Sequence, residues 1–433
     1  MSKEVIEEIQ AVQVLDSRGR PTVWVSVVGS RGSRGEAMVP SGASCGSKEA
    51  VELRDGGGKF LGFGVRKAIA HIEDFLKPQL LGVELGDQAL IDQILVEVDG
   101  TENFSRMGAN AVLPISMAAA RAGAQSCSLP LYRYLGGIDA RSLPMPMFNL
   151  LNGGMHAENL LEIQEFMIRP IGAANFTQAL DWGVKVSWEL KNILKEKSLS
   201  CGYGDEGGFA PDLENDRLAL ELLVEAVVRS ELELGKDIAF ALDVAATSFL
   251  EKGQYVDIKR RSHGGDFASR SPSEQIHYLG ALCNDFPIDS LEDGLAEQDW
   301  EGWVSLTNAL GDKVQVVGDD LLVTNCGLLR KAGAMGAANS ILIKPNQIGT
   351  VTKTLEVINL AKRIGYSTVI SHRSGETEDT FISDLCVATG AGQIKAGALA
   401  RSERCAKYNR LLLIEQELGE CARFEDGNPV RFA

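Results

Sequence analysis

Six polar residues stand at the ends of short apolar runs, and their spacing constrains the fold more than any other feature. Asp243 closes IAFALD, Glu292 closes PIDSLE and Asp319 closes VQVVGD; Lys344 then closes SILIK, His372 closes STVISH and Lys395 closes GQIK. After a first gap of 49 residues the gaps are 27, 25, 28 and 23. That is the length of one strand, one helix and two loops. A βα unit repeated at this period closes into a barrel, and residues at the C-terminal ends of its strands converge on one mouth. The pattern predicts an α/β fold of the (βα)8 type. Three carboxylates, two lysines and a histidine at one mouth predict a cation site with a base beside it.

A chain of 433 residues exceeds the size at which one hydrophobic core stops growing, so two domains are expected. The net charge of −16 argues against a nucleic-acid partner and against an anionic membrane surface. An anionic substrate would need bound cations to invert the local field. The eight cysteines are scattered, with no C-x-x-C pair and no His at zinc spacing, as in a protein of a reducing compartment. The first residues, MSKEVIEEIQ, are charged and lack an apolar h-region, and no stretch has the length of a membrane span. A cytoplasmic protein is expected.

Residues 3–40 alternate apolar and polar in three runs, IQAVQVLDS, TVWVSVVG and GEAMVPSG, and predict an antiparallel three-strand meander. Helical stretches are expected to open at Ala50–Leu53 and to follow at Gly64–Leu81 and Ala89–Val98. Gly108–Gln125, rich in Ala and apolar nearly all round, predicts a buried helix. These make an α+β N-terminal domain over residues 1–137, and SLPMPMFNLLNGG opens a barrel domain over 138–433. Ser271-Pro272-Ser273-Glu274 is a capping box with proline at the first helical position. Val351, Leu355, Ile358 and Ala361 form an apolar helical stripe that Gly365 stops.

Eight blocks, in order, carry a family resemblance. They are SGAS (41–44), NGGMHAENLLEIQEFM (152–167), GDEGGFAP (204–211), LEDGLAEQDW (291–300), GDDLLVTN (318–325), NQIGT (346–350), SHRSGETED (371–379) and ARSERCAKYN (400–409). In these blocks the chain closely resembles the enolases, over essentially its whole length. The resemblance implies an α+β N-terminal domain on a barrel, and the reversible dehydration of 2-phosphoglycerate to phosphoenolpyruvate. It implies two Mg²⁺ ions per site, the second recruited with substrate, and a homodimer or higher homo-oligomer.

The resemblance also implies roles. Asp243, Glu292 and Asp319 would hold the first cation; all are oxygen donors, which suits Mg²⁺. A second ion would be held by substrate and the loop carrying Ser44, with Ala43 beside the substrate. Lys344 would be the base that takes the proton from carbon 2. A Lys or His base with one or two Mg²⁺ is the known pattern of enolase-superfamily sites, not a deduction from spacing. Glu206 would protonate the departing hydroxyl, with Glu165 beside it, each carboxylate raising the other's pKa. The glycines around Glu206 argue for a shaped loop rather than a helix start. His372, Arg373 and Ser374 suit the phosphate, Lys395 the substrate carboxylate, and Gln164 and His156 complete the pocket.

The chain departs from the usual enolase pattern at Cys45, Pro345 and Ala396, none of them an expected ligand or proton carrier. Trp24 and Leu413, and Val12 and Gln416, stand where ion pairs are common near the dimer interface, so apolar burial is expected there. Arg20 and Ser248 also depart. Two other readings compete. One is a superfamily relative acting on a different carboxylate, which would generally lack the His-Arg-Ser grip and the GDEGGFAP loop. The other is a non-catalytic enolase fold serving as a surface or assembly-binding protein.

Overall fold

The computed structural model describes residues 3–42 and 48–424; Ala43, Ser44 and Cys45 lie outside the described residues. The N-terminal meander forms as expected, with antiparallel strands at Ile6–Leu15, Pro21–Gly29 and Arg34–Met38. One face of this sheet packs on the helix Ala109–Ser126, which is buried along most of its length. A Cβ on Gly35 would stand 2.0 Å from the Ala118 carbonyl oxygen, so only glycine lets strand and helix approach so closely. Helical turns cover Arg66–Leu80, and a regular helix spans Gln88–Asp99.

The stretch opening at Ala50–Leu53 is not helical. Its amides are used elsewhere: Ala50 N–H donates to Gln347 O, Val51 N–H to Asn103 O and Leu53 N–H to the Asn110 side chain. Tertiary bonds from three of these four amides outweigh the local helical preference.

Eight strands then close a barrel in chain order: Met145–Asn152, Glu165–Arg169, Ala239–Asp243, Ile288–Glu292, Gln315–Gly318, Ser340–Ile343, Ser367–Ser371 and Gly392–Lys395. Seven run parallel and the second runs antiparallel to both neighbours. No crossover helix separates the first two strands, so the chain returns in the opposite direction. Met147, Met167, Ala241, Val317, Leu342 and Val369 fill the interior. The first long gap in the sequence period is an excursion over 244–271, made of short strands, a 3-10 turn at Ala246–Phe249 and a short helix at Ile258–Ser262, before the helix Pro272–Asp285. That helix starts on the Ser271–Glu274 capping box, and Thr350 caps the helix Val351–Arg363. No described helix is long and apolar enough to cross a membrane.

Candidate active site

All six residues singled out by spacing reach the mouth. Asp243, Glu292 and Lys395 are the last residues of their strands, while Asp319, Lys344 and His372 follow theirs by one. Glu292 pairs in register with Asp243, which pairs in turn with Glu165. Glu165 reaches the mouth because its strand runs backwards: its first residue lies where the others have their last. Its final residue, Arg169, is carried to the far end, where it bonds to Gln393.

Lys395 Nζ sits among three carboxylates, 2.9 Å from Asp243 Oδ2, 2.9 Å from both oxygens of Glu292 and 3.0 Å from Glu165 Oε1. Burial alone would lower this amine, but the surrounding charges hold it well above the ordinary lysine value. It is a fixed cation. Lys344 Nζ bonds to Asp319, which raises the amine against its burial and draws Asp319 down against its own. Pro345 starts a one-turn helix, and Lys344 before it is extended (φ −125°, ψ 106°), as a residue preceding proline prefers.

Burial and the neighbouring Asp243 push Glu292 well above the usual carboxylate range, and burial with Asp319 lifts Asp320 to about 7. Such crowding shows more negative charge at these strand ends than the lysines neutralise. The donors available to a cation are all oxygens, and oxygens of Asp293, Asp319 and Asp320 lie within 4.8 Å of one another. The set fits a hard divalent ion such as Mg²⁺. Asp293 and Asp320 were not anticipated from spacing, although each follows a strand-end acid directly. Both Asp293 oxygens accept backbone amides, from Asp319 and Asp320 at 2.9 Å, so Asp293 clamps the acidic turn. It does so at φ +44°, a strained position for a non-glycine residue.

Across the cleft, ligand atoms of His156, Glu165 and Glu206 also lie within 4.8 Å of one another. Glu206 stands in a tight turn closed by Gly204 N–H to Gly208 O at 2.8 Å, with Gly207 at φ +86°. The turn is a shaped loop, as its glycines suggested. Asn149 Nδ2 bridges the acids, 3.1 Å from Glu165 and 3.2 Å from Glu206. They do not raise one another equally. Burial and Glu206 push Glu165 well up. Against its own burial, Glu206 is held low by His372, His156 and Arg404. His372 Nε2 lies 3.2 Å away, and burial pushes that imidazole down to about 4. Burial and charge therefore favour the proton on Glu165 over Glu206.

Gln164 Nε2 donates to Asp243 Oδ2 at 3.4 Å, and His156 sits in a turn at Gly154–His156. His372, Arg373 and Ser374 line the cleft together. Arg373 points its fork at Glu49, at 2.8 and 3.3 Å, a partner the sequence did not signal. The most instructive omission is Arg404. Its guanidinium binds His372 Nδ1 and Arg373 O at 2.6 Å and Ser374 O at 2.7 Å, so one buried side chain orients the whole tripeptide. The block ARSERCAKYN held the clue without revealing the partner.

Of the departures, Arg20 stacks 4.4 Å over the Phe63 ring, and Ser248 Oγ donates to Ala245 O at 2.8 Å, closing the turn after Asp243. Val12 pairs across the sheet with Trp24, and Val12 and Leu413 are half exposed.

Comparison with known families agrees with this geometry. Residues 6–135 match the family described as "Enolase, N-terminal domain", and residues 140–432 match "Enolase, C-terminal TIM barrel domain".

Proposed function

Because the chain belongs to the enolase family, a family of lyases that generally uses Mg²⁺, we propose that it interconverts 2-phosphoglycerate and phosphoenolpyruvate. One observation carries the reading: a single cleft holds Lys344 beside an acidic turn, the Glu165–Glu206 pair, and the His372-Arg373-Ser374 tripeptide. These are a base, an acid and an oxyanion grip, the three things that eliminating water from a phosphorylated hydroxyacid requires.

Lys344 Nζ takes the proton from carbon 2, whose electron pair forms the new double bond as the carbon 3–oxygen bond breaks. The departing hydroxide takes a proton from the Glu165–Glu206 pair and leaves as water. Glu165, whose burial favours the protonated form, is the carboxyl that brings the proton into this pair. Asn149 holds both carboxylates at the cleft wall. Lys395 supports negative charge developing on the substrate carboxylate. Arg373 and Ser374, oriented through Arg404, receive the phosphate, with Arg373 exchanging some of its contact to Glu49 for phosphate oxygens. Asp243, Glu292, Asp319 and Asp320 would hold Mg²⁺, two ions per site, whose charge would stabilise the dianion and relieve the hold of Asp319 on Lys344.

The test is phosphoenolpyruvate formation from 2-phosphoglycerate with Mg²⁺, with excess chelator, and with Lys344→Ala. Activity abolished by both perturbations supports the reading. A folded, Mg²⁺-binding wild type with no activity overturns it in favour of a binding protein. Activity on an unphosphorylated hydroxyacid instead would favour a different superfamily reaction.

A further inference from the structure

A second cavity, of about 270 Å³, shares no lining residue with the catalytic cleft. Its walls come from the connection ahead of Glu165, the start of the helix Asp216–Arg229, the excursion after Asp243 and the helix Pro272–Asp285. It is bounded by ionisable groups, most of which already have partners. Asp257 is engaged by Arg270 at 2.8 Å and by the Ala268 amide at 3.0 Å. Arg270 also lies 4.2 Å over the Tyr278 ring, and Arg217 pairs with Asp285.

Among the described residues, three groups lack a full complement. Asp216 is 8% exposed; its Oδ2 accepts the Tyr278 hydroxyl at 2.9 Å, but buried Oδ1 has no hydrogen-bond partner. The Ile163 amide lowers the carboxyl's pKa from nearby, without completing a hydrogen bond to Oδ1. On another wall, the Arg260 guanidinium makes no hydrogen bond or ion pair with the described residues. Glu162 accepts only the Lys259 amide, at 2.6 Å, and burial lifts it to about 7, while Asp216 is lifted to about 6. A buried carboxylate oxygen without a donor is costly.

The occupant's chemistry follows from what the cavity lacks. Among the described residues, no three of the cavity's carboxylates bring ligand oxygens within 4.8 Å of one another, so they form no three-carboxylate cage for a metal ion. The volume holds about nine waters at about 30 Å³ each, which is room for a small organic molecule. The free groups are of opposite sign and come from different elements. We infer that this cavity binds a small zwitterion of the amino-acid class, its ammonium on the Asp216 and Glu162 carboxylates and its carboxylate on the Arg260 guanidinium.

The test is calorimetric titration of the full chain with β-alanine, 4-aminobutyrate and 6-aminohexanoate, a series that spans the unknown separation of the two ends. Propylamine and butyrate serve as single-charge controls. At least one zwitterion should bind saturably and at least about tenfold more tightly than either control, a difference of about 1.4 kcal/mol. Asp216→Asn and Arg260→Gln should each weaken that binding at least about tenfold. No saturable binding, equal binding of the amine, or binding that survives either substitution in folded protein overturns the inference. Arg260→Gln alters a partly exposed side chain without a partner, so it decides the question alone if Asp216→Asn fails to fold.

Discussion

The two halves of the barrel are built differently and contribute different chemistry. From Ile288 to Lys395 the strands are parallel and their end residues recur at gaps of 27, 25, 28 and 23. From Met145 to Asp243 one strand is reversed and the connections are irregular. The regular half supplies the fixed cation Lys395, the proposed base Lys344 and the acidic turn of Asp293, Asp319 and Asp320. The irregular half supplies the cluster of His156, Glu165 and Glu206, from which the proposed acid comes. Strand ends are rigid and suit charges that must stay in place. Turns with positive φ at Gly154 and Gly207 bring His156 and Glu206 up to Glu165 at the start of the reversed strand.

The contrast can be broken at its strongest point first. Lys344→Ala removes the only base proposed for the regular half, and turnover should fall by about 10³-fold or more, about 4 kcal/mol of barrier, in a steady-state assay. A loss below tenfold would move the base to the other half. Glu165→Gln should next cost about 10²-fold in turnover by removing the stored proton. Retained activity would mean that Glu206 holds the proton despite its histidine neighbours. Arg404→Lys leaves carbonyls of the His372-Arg373-Ser374 turn without partners. Substrate KM should rise about tenfold with a much smaller change in kcat, and a fall in kcat alone would contradict an orienting role.

A smaller effect concerns pH. Burial raises Glu162 from an ordinary 4.5 to about 7 in the folded chain. The fold therefore binds this proton more tightly than the unfolded chain does, so its contribution to stability is complete below about pH 4.5 and is lost as pH rises through 7. Glu162→Gln should flatten that part of the melting-temperature profile between pH 5 and 7.5. An unchanged slope would show that Glu162 titrates normally. Smallest of all, if Val12, Trp24 and Leu413 form a homodimer seam, sedimentation should show an assembly indifferent to ionic strength. Salt-driven dissociation would place ion pairs there instead.

Local pattern revealed the barrel because an apolar run ending in a charge is visible within one strand. It revealed the meander and the capped helices for the same reason. Glu165 has no such mark, since it begins a reversed strand; only family resemblance singled it out. Arg404, Glu49 and Asn149 were missed because their partners lie far along the chain, as Arg404 does from Asp205 and Glu49 from Arg373. The helix expected at Ala50–Leu53 failed because its amides are claimed by distant acceptors.

The sequence by itself determined the barrel period, the six residues at its mouth and the hard, oxygen-rich character of the donors, since these depend on residue type and on spacing within a strand–helix unit. Only the tertiary structure decided which carboxylate is favoured to hold a proton, which amine is locked among acids, and which guanidinium is left over at a second cavity. Each of those depends on burial and on Coulomb neighbours from several elements, and both fall off over a few ångströms through space, not along the chain.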